Sequence, residues 1–150
     1  PIPEEERGDL MAAYYKRLTG SDKTAQVECA RAWARWEMSA ISLWPDPNKH
    51  HDVDSEQFAV AFARIECHYF VNRGFFDCDD QIIRNLHKIK HIPCALIQGR
   101  YDMCTPARTA WDIHKAWPEA DFRLVGDAGH AGSEPGIVHE LISATDRWAG

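Results

Sequence analysis

The chain has 150 residues, 45% of them apolar and 27% charged, a composition that supports one packed domain and argues against wholesale disorder. Seventeen Lys and Arg against 23 Asp and Glu give a net charge of −6, and with no basic block this argues against nucleic acid as a partner. No apolar run reaches bilayer length and no signal-peptide pattern occurs, so a membrane role is not expected either.

The first half reads as helical. Pro3 followed by Glu4, Glu5 and Glu6 predicts a helix start, with acids at the positive end of the dipole. Leu10, Tyr14 and Leu18 recur every four residues, and Gly20 is expected to cap the C-terminus. Ser21 is expected to open a second helix running toward Leu43, broken by Trp44-Pro45-Asp46-Pro47-Asn48. Ser55 opens a third, with Phe58, Phe62, Ile65, Tyr69 and Phe70 on one side and Gly74 as its stop. A short helix from about Asp80 to His87 follows.

The period then changes. Ile92-Pro93-Cys94-Ala95-Leu96-Ile97, ending at Gly99, predicts a buried parallel strand. Thr105-Pro106 is expected to cap a helix that ends near Trp117-Pro118. Phe122 to Val125 predicts a second strand, and Glu134 to Trp148 a last helix, with Ser133 as its N-cap. Strand, helix, strand, helix is a βαβα unit. Two parallel strands do not stand alone as a sheet, so the rest of the sheet is expected from elsewhere. The fold class is α/β, with a helical segment over residues 1–90 and the tail of a parallel sheet over 91–150. A native chain starts with Met, so Pro1 points to a processed, trimmed or partial chain.

In open α/β sheets active groups gather beyond the carboxyl ends of strands. Two such places exist, Gly99-Arg100-Tyr101-Asp102 and Asp127-Ala128-Gly129-His130. An Asp and a His on loops after neighbouring parallel strands can meet, the carboxylate orienting an imidazole that acts as general base. Either residue alone reads as an ordinary loop residue; the pair, in this order and spacing, favours catalysis. The nucleophile is not in the chain: no G-x-S-x-G occurs, and Gly132-Ser133-Glu134-Pro135-Gly136 does not fit that elbow. The order nucleophile, acid, His puts that residue upstream.

At this point a resemblance becomes specific. Ile2-Pro3-Glu4 with Arg7-Gly8-Asp9-Leu10-Met11, Ala32 to Glu37, Ala63 to Phe70, Gly99 to Asp102, Ala110-Trp111-Asp112 with His114 to Pro118, and Asp127 to His130 resemble, in order, the C-terminal half of proline iminopeptidases, which are serine α/β-hydrolases. The resemblance implies a helical cap to about residue 90, then the last strands of the hydrolase core. It implies Asp102 and His130 as triad members, with the nucleophilic Ser and the oxyanion hole before Pro1. It implies that Glu37 and Glu66, cap glutamates each within an apolar helical stripe, receive the ammonium of an N-terminal proline. Arg35, Arg64 and Arg73 are the competing structural partners for those carboxylates. The family often carries Cys where Thr105 stands, in the proline pocket, and Cys104 lies one place earlier, so both are candidate substrate contacts.

The expected partners are a peptide with a free N-terminal proline and the missing N-terminal half of the core. The expected location is the cytoplasm. The alternatives are another capped α/β-hydrolase, such as an epoxide hydrolase or esterase, and a non-catalytic fragment that associates with the missing half. Cys29, Cys67, Cys78, Cys94 and Cys104 are odd in number with no C-x-x-C pair, which reads as reduced thiols. His50, His51, Asp52 and Asp54 match no ligand spacing, so no metal is assigned, and no cofactor is expected.

Overall fold

The first three helices each begin where a short acceptor side chain takes an otherwise unpaired backbone N–H. A computed structural model describes residues 1–44 and 55–149; the His50, His51, Asp52 and Asp54 cluster lies outside the described residues. Residues Glu4–Asp9 form a 3-10 turn rather than the first turn of the helix expected from Pro3. The α-helix starts one step later, as α1 (Leu10–Thr19), because the Asp9 carboxylate accepts from Ala12 N at 3.0 Å. Leu18 is fully buried, but Leu10 is exposed, so the expected Leu10–Tyr14–Leu18 stripe is buried only at its far end. Gly20 ends α1 in extended backbone, not in the left-handed region.

Helix α2 (Lys23–Ala40) is capped by Asp22, whose Oδ1 accepts from Thr24 N and Ala25 N, rather than opening at Ser21. It stops at Ala40 instead of reaching Leu43. The Ile41 carbonyl and the Leu43 amide are bonded to the loop 129–134, so they do not continue the helical ladder. Ser55 does cap α3 (Glu56–Val71). Arg73, Gly74 and Phe75, all at positive φ, then turn the chain.

Two compact units result. The first comprises residues 1–39 and 55–77 of those described. Its core is built from Leu18, Cys29, Ala30, Trp33, Ala34, Ala59, Ala63 and Cys67, small residues that let α1, α2 and α3 pack closely around one indole. The second comprises residues 40–44 and 78–149. It contains α4 (Gln81–Asn85), β1 (Ala95–Gly99), α5 (Ala107–Ala116), β2 (Asp121–Val125) and α6 (Pro135–Ala149).

The two strands are parallel, as expected, with Ala95 opposite Asp121 and Gly99 opposite Val125. Helix α5 is the crossover between them. Leu86 packs with Trp117, Ala120 and Leu96 on one face of the sheet; Val125, Ala128 and Ile137 pack with Ile97 on the other. Burying Leu86 contributes about 2 kcal/mol by transfer from water. Arg123 on β2 pairs with Glu140 on α6 at 2.6 Å, tying that helix to the strand. The strand expected to be buried is only half-buried through Ile97 and Gln98, and Leu124 on β2 is 44% exposed. A two-stranded sheet has two open edges, so its apolar residues are covered only in part.

All five cysteines are reduced, and burial pushes the Cys29 and Cys67 thiols up while Cys104 is exposed. A maleimide at pH 8 is expected to label Cys104 quickly and to reach Cys29 and Cys67 only in denaturant; equal labelling rates of all three in the folded protein would contradict this core.

Candidate functional site

The two loops that leave the carboxyl ends of β1 and β2 are bonded to each other through their backbones. Arg100 N donates to Val125 O at 2.9 Å and Tyr101 N to Ala128 O at 3.0 Å. The approach is so close that a Cβ on Gly99 would stand 1.9 Å from Gly129 O, which no side chain survives. Gly99 is thus required by contact between the loops, whereas a Cβ on Gly129 would meet Leu43 N, Glu134 Oε1 and Ile41 O instead.

This approach brings Asp102 and His130 together. His130 Nδ1 lies 3.0 Å from Asp102 Oδ2, with Asp102 buried and the imidazole 37% exposed. An ionised carboxylate only accepts, so the shared proton sits on Nδ1 and Nε2 is left as the basic nitrogen.

Asp102 is held by more than the imidazole. Its Oδ1 accepts from Cys104 N at 3.0 Å and Thr105 N at 2.8 Å. Its Oδ2 accepts from Gln98 Nε2 and from Thr105 Oγ1, each at 2.9 Å, besides His130. Burial pushes this carboxyl up, but the bonds from the Thr105 backbone, His130, the Thr105 hydroxyl and Gln98 together outweigh it and hold Asp102 below the ordinary carboxylate range. Thr105 therefore does not cap α5; Pro106 occupies the N-cap position and the Thr105 hydroxyl turns to Asp102, 3.2 Å from His130 Nδ1. Asp102, Cys104 and His130 offer ligand atoms within 4.8 Å of one another. Both Asp102 oxygens are already filled by these donors, so a metal would have to break them to bind.

Two residues of this region escaped the sequence reading. Gln98 lies on β1, where a polar residue in an apolar run was the available signal; its amide bridges Asp102 Oδ2 and Thr105 O. Glu134 was placed in the first turn of the last helix. The helix begins at Pro135, and the Glu134 carboxylate instead points to backbone, accepting from Gly129 N and Leu43 N at 2.9 Å each.

The two candidate glutamates of the first unit have different surroundings. Glu66 on α3 is half-buried and accepts from Trp33 Nε1 at 2.6 Å. Glu37 lies one turn after Trp33 on α2 and is 8% exposed. Tyr14 packs edge-on to the same indole, and Phe70 is tilted 6.0 Å from it. The Glu66 carboxylate is thus bonded to an indole that itself lies within a cluster of rings, where an organic cation is better received than a neutral group.

What the described residues show is a hydrogen-bonded Asp102–His130 pair beside a short parallel sheet. No family model matches the chain. Curated proteins do. It is 50% identical to a probable proline iminopeptidase of Leptolyngbya boryana over 148 residues, 99% of this chain and 46% of that protein. It is 50% identical to a proline iminopeptidase of Arabidopsis thaliana over 97% of this chain and 39% of that one. It is 45% identical to a proline iminopeptidase of Xanthomonas citri over 99% and 47%. The chain is a homologue of the proline iminopeptidases over nearly its whole length, and it spans a little under half the length of the curated relatives it matches. No helix among the described residues is long and apolar enough to cross a membrane.

A folded carboxyl held below its unfolded value stabilises above the unfolded value, about pH 4, and loses that contribution as pH falls through the folded one. Asp102→Asn is therefore expected to flatten part of the decline in urea midpoint between about pH 4 and pH 2.5. An acid slope unchanged by the substitution would show that the five bonds do not hold the ionised form.

Proposed function

We propose that this chain is the C-terminal portion of a serine aminopeptidase that releases N-terminal proline, with residues 1–90 as cap segment and 91–150 as the end of an α/β-hydrolase core. The observation that carries the reading is the 3.0 Å contact between Asp102 and His130 on loops after adjacent parallel strands. In this reading a serine supplied from before Pro1 attacks the carbonyl of the first peptide bond. His130 Nε2 takes the serine proton and later hands it to the leaving amine. Asp102 keeps the proton on Nδ1 and stabilises the imidazolium; Thr105 and Gln98 hold Asp102. No metal or redox group enters any step.

Substrate choice falls to Glu37 and Glu66. A free N-terminal proline carries a secondary ammonium, and two carboxylates suit it. A blocked N-terminus brings no charge and leaves the carboxylates without that partner, which is the logic of an exopeptidase. The names of the relatives support this substrate. Cys104, exposed beside the pair, is a further substrate contact, whereas the Thr105 hydroxyl is engaged with Asp102. The partners are the peptide and the N-terminal half of the hydrolase core, and the reduced cysteines favour the cytoplasm.

In the full-length protein that carries this chain, His130→Ala is expected to lower kcat on a prolyl arylamide by about 10⁴-fold or more, since the base is gone. Glu37→Gln and Glu66→Gln are expected to raise KM and lower kcat/KM on the same substrate while sparing hydrolysis of a neutral ester. Near-full activity of the His130 variant would refute the triad, and equal losses on both substrates would reduce the glutamates to structural groups.

A further inference from the structure

Glu134 is 4% exposed, yet it takes no part in the chemistry proposed above. Both of its carboxylate oxygens are spent on backbone. Oε2 accepts from Gly129 N and Oε1 from Leu43 N, each at 2.9 Å. Beside it, His130 N and Ala131 N both donate to Ile41 O, at 2.9 and 2.8 Å. Glu134 N returns a bond to Ala131 O at 3.0 Å. Five bonds thus join the loop 129–134, its own helix start and the segment 41–43 into one knot, with His130 inside it.

We propose that Glu134 is a positioning residue for His130, acting by clamping the segment 41–43 against the backbone on either side of the imidazole. Only a carboxylate fits this place. Two backbone donors arrive at separate oxygens, and an amide would turn an N–H toward one of them, leaving both donors of that pair unsatisfied in a buried site. The charge makes both bonds stronger, which offsets the cost of burying the group. Gly129 completes the clamp from the other side. A Cβ there would stand 2.9 Å from Leu43 N, 3.1 Å from Glu134 Oε1 and 3.3 Å from Ile41 O, so a side chain would push the segment off the loop.

The clamp matters because the ring of His130 is more than a third exposed and its hydrogen bonds to Asp102 and Thr105 both run through Nδ1. The direction of Nε2 is therefore set by the backbone from which the ring projects, and a shift of about 1 Å there is enough to cost 10²-fold in rate.

The inference rests on the reading of His130 as the base, and its test separates the two. In the full-length protein, Glu134→Gln and Gly129→Ala are each expected to lower kcat on a prolyl arylamide by about 10- to 100-fold with KM changed by less than about twofold. Each is also expected to broaden or remove the downfield proton resonance of His130 Nδ1–H, while circular dichroism shows a folded protein. Glu140→Gln, which breaks the Arg123 pair between β2 and α6 and touches neither the loop 129–134 nor segment 41–43, serves as the control and leaves kcat and the resonance unchanged. Gly129→Ala removes no polar group, so it decides the matter if Glu134→Gln does not fold. Retention of kcat by Gly129→Ala or Glu134→Gln would overturn the proposal, as would a loss of kcat with the resonance intact. If His130→Ala itself kept its activity, the base would be misassigned, and the resonance in the Glu134 and Gly129 variants would still report whether the clamp holds the imidazole.

Discussion

The second unit depends on two strand ends that touch with no side chain between them. Gly99 lets the loop after β1 and the loop after β2 pair through Arg100 N, Tyr101 N, Val125 O and Ala128 O. Any Cβ at Gly99 would separate the loops by more than 1 Å, and a hydrogen bond of 3.0 Å does not survive such a shift. The carboxylate and the imidazole are therefore aligned by backbone contact between neighbouring parallel strands, before any side-chain preference acts.

Around that contact each functional side chain has a support that is itself tied to backbone. Asp102 is oriented by the amides of Cys104 and Thr105 and shielded by Gln98 and the Thr105 hydroxyl. The ring of His130 leans on Asp102, and its backbone is bonded to Ile41. The loop that carries it closes on Glu134. Low exposure strengthens these bonds and also makes each of them costly to lose, so the polar groups of this region stand or fall together. Thr105 illustrates the economy of the arrangement: a residue that in most settings would cap the next helix gives its hydroxyl to the carboxylate, and Pro106, which needs no partner for a backbone N–H, takes the cap position.

In the first unit the same principle acts through a ring. Trp33 is buried among alanines and cysteines, and its indole N–H needs an acceptor there. Glu66 supplies it, which gives this half-buried carboxylate of α3 a donor. The aromatic residues around that carboxylate are what make it suited to an ammonium ligand.

The sequence by itself determined the element types, the parallel βαβα order and the pair of loops that carry Asp102 and His130. These follow from local rules: period, Pro and Gly punctuation, and the habit of open sheets to place polar groups at strand ends. It also carried the likeness to proline iminopeptidases, because identities near 50% keep short motifs intact in order. Tertiary structure alone decided where α2 stops, since Ile41 and Leu43 bond to a loop some 90 residues away in the chain. It decided that Trp33 meets Glu66, that Gln98 and Thr105 serve Asp102, and that the Glu134 carboxylate takes the amides of Gly129 and Leu43 ahead of the last helix. In each case the local pattern left a polar group with several acceptable partners, and only the packed chain, by removing water, fixed which one it takes.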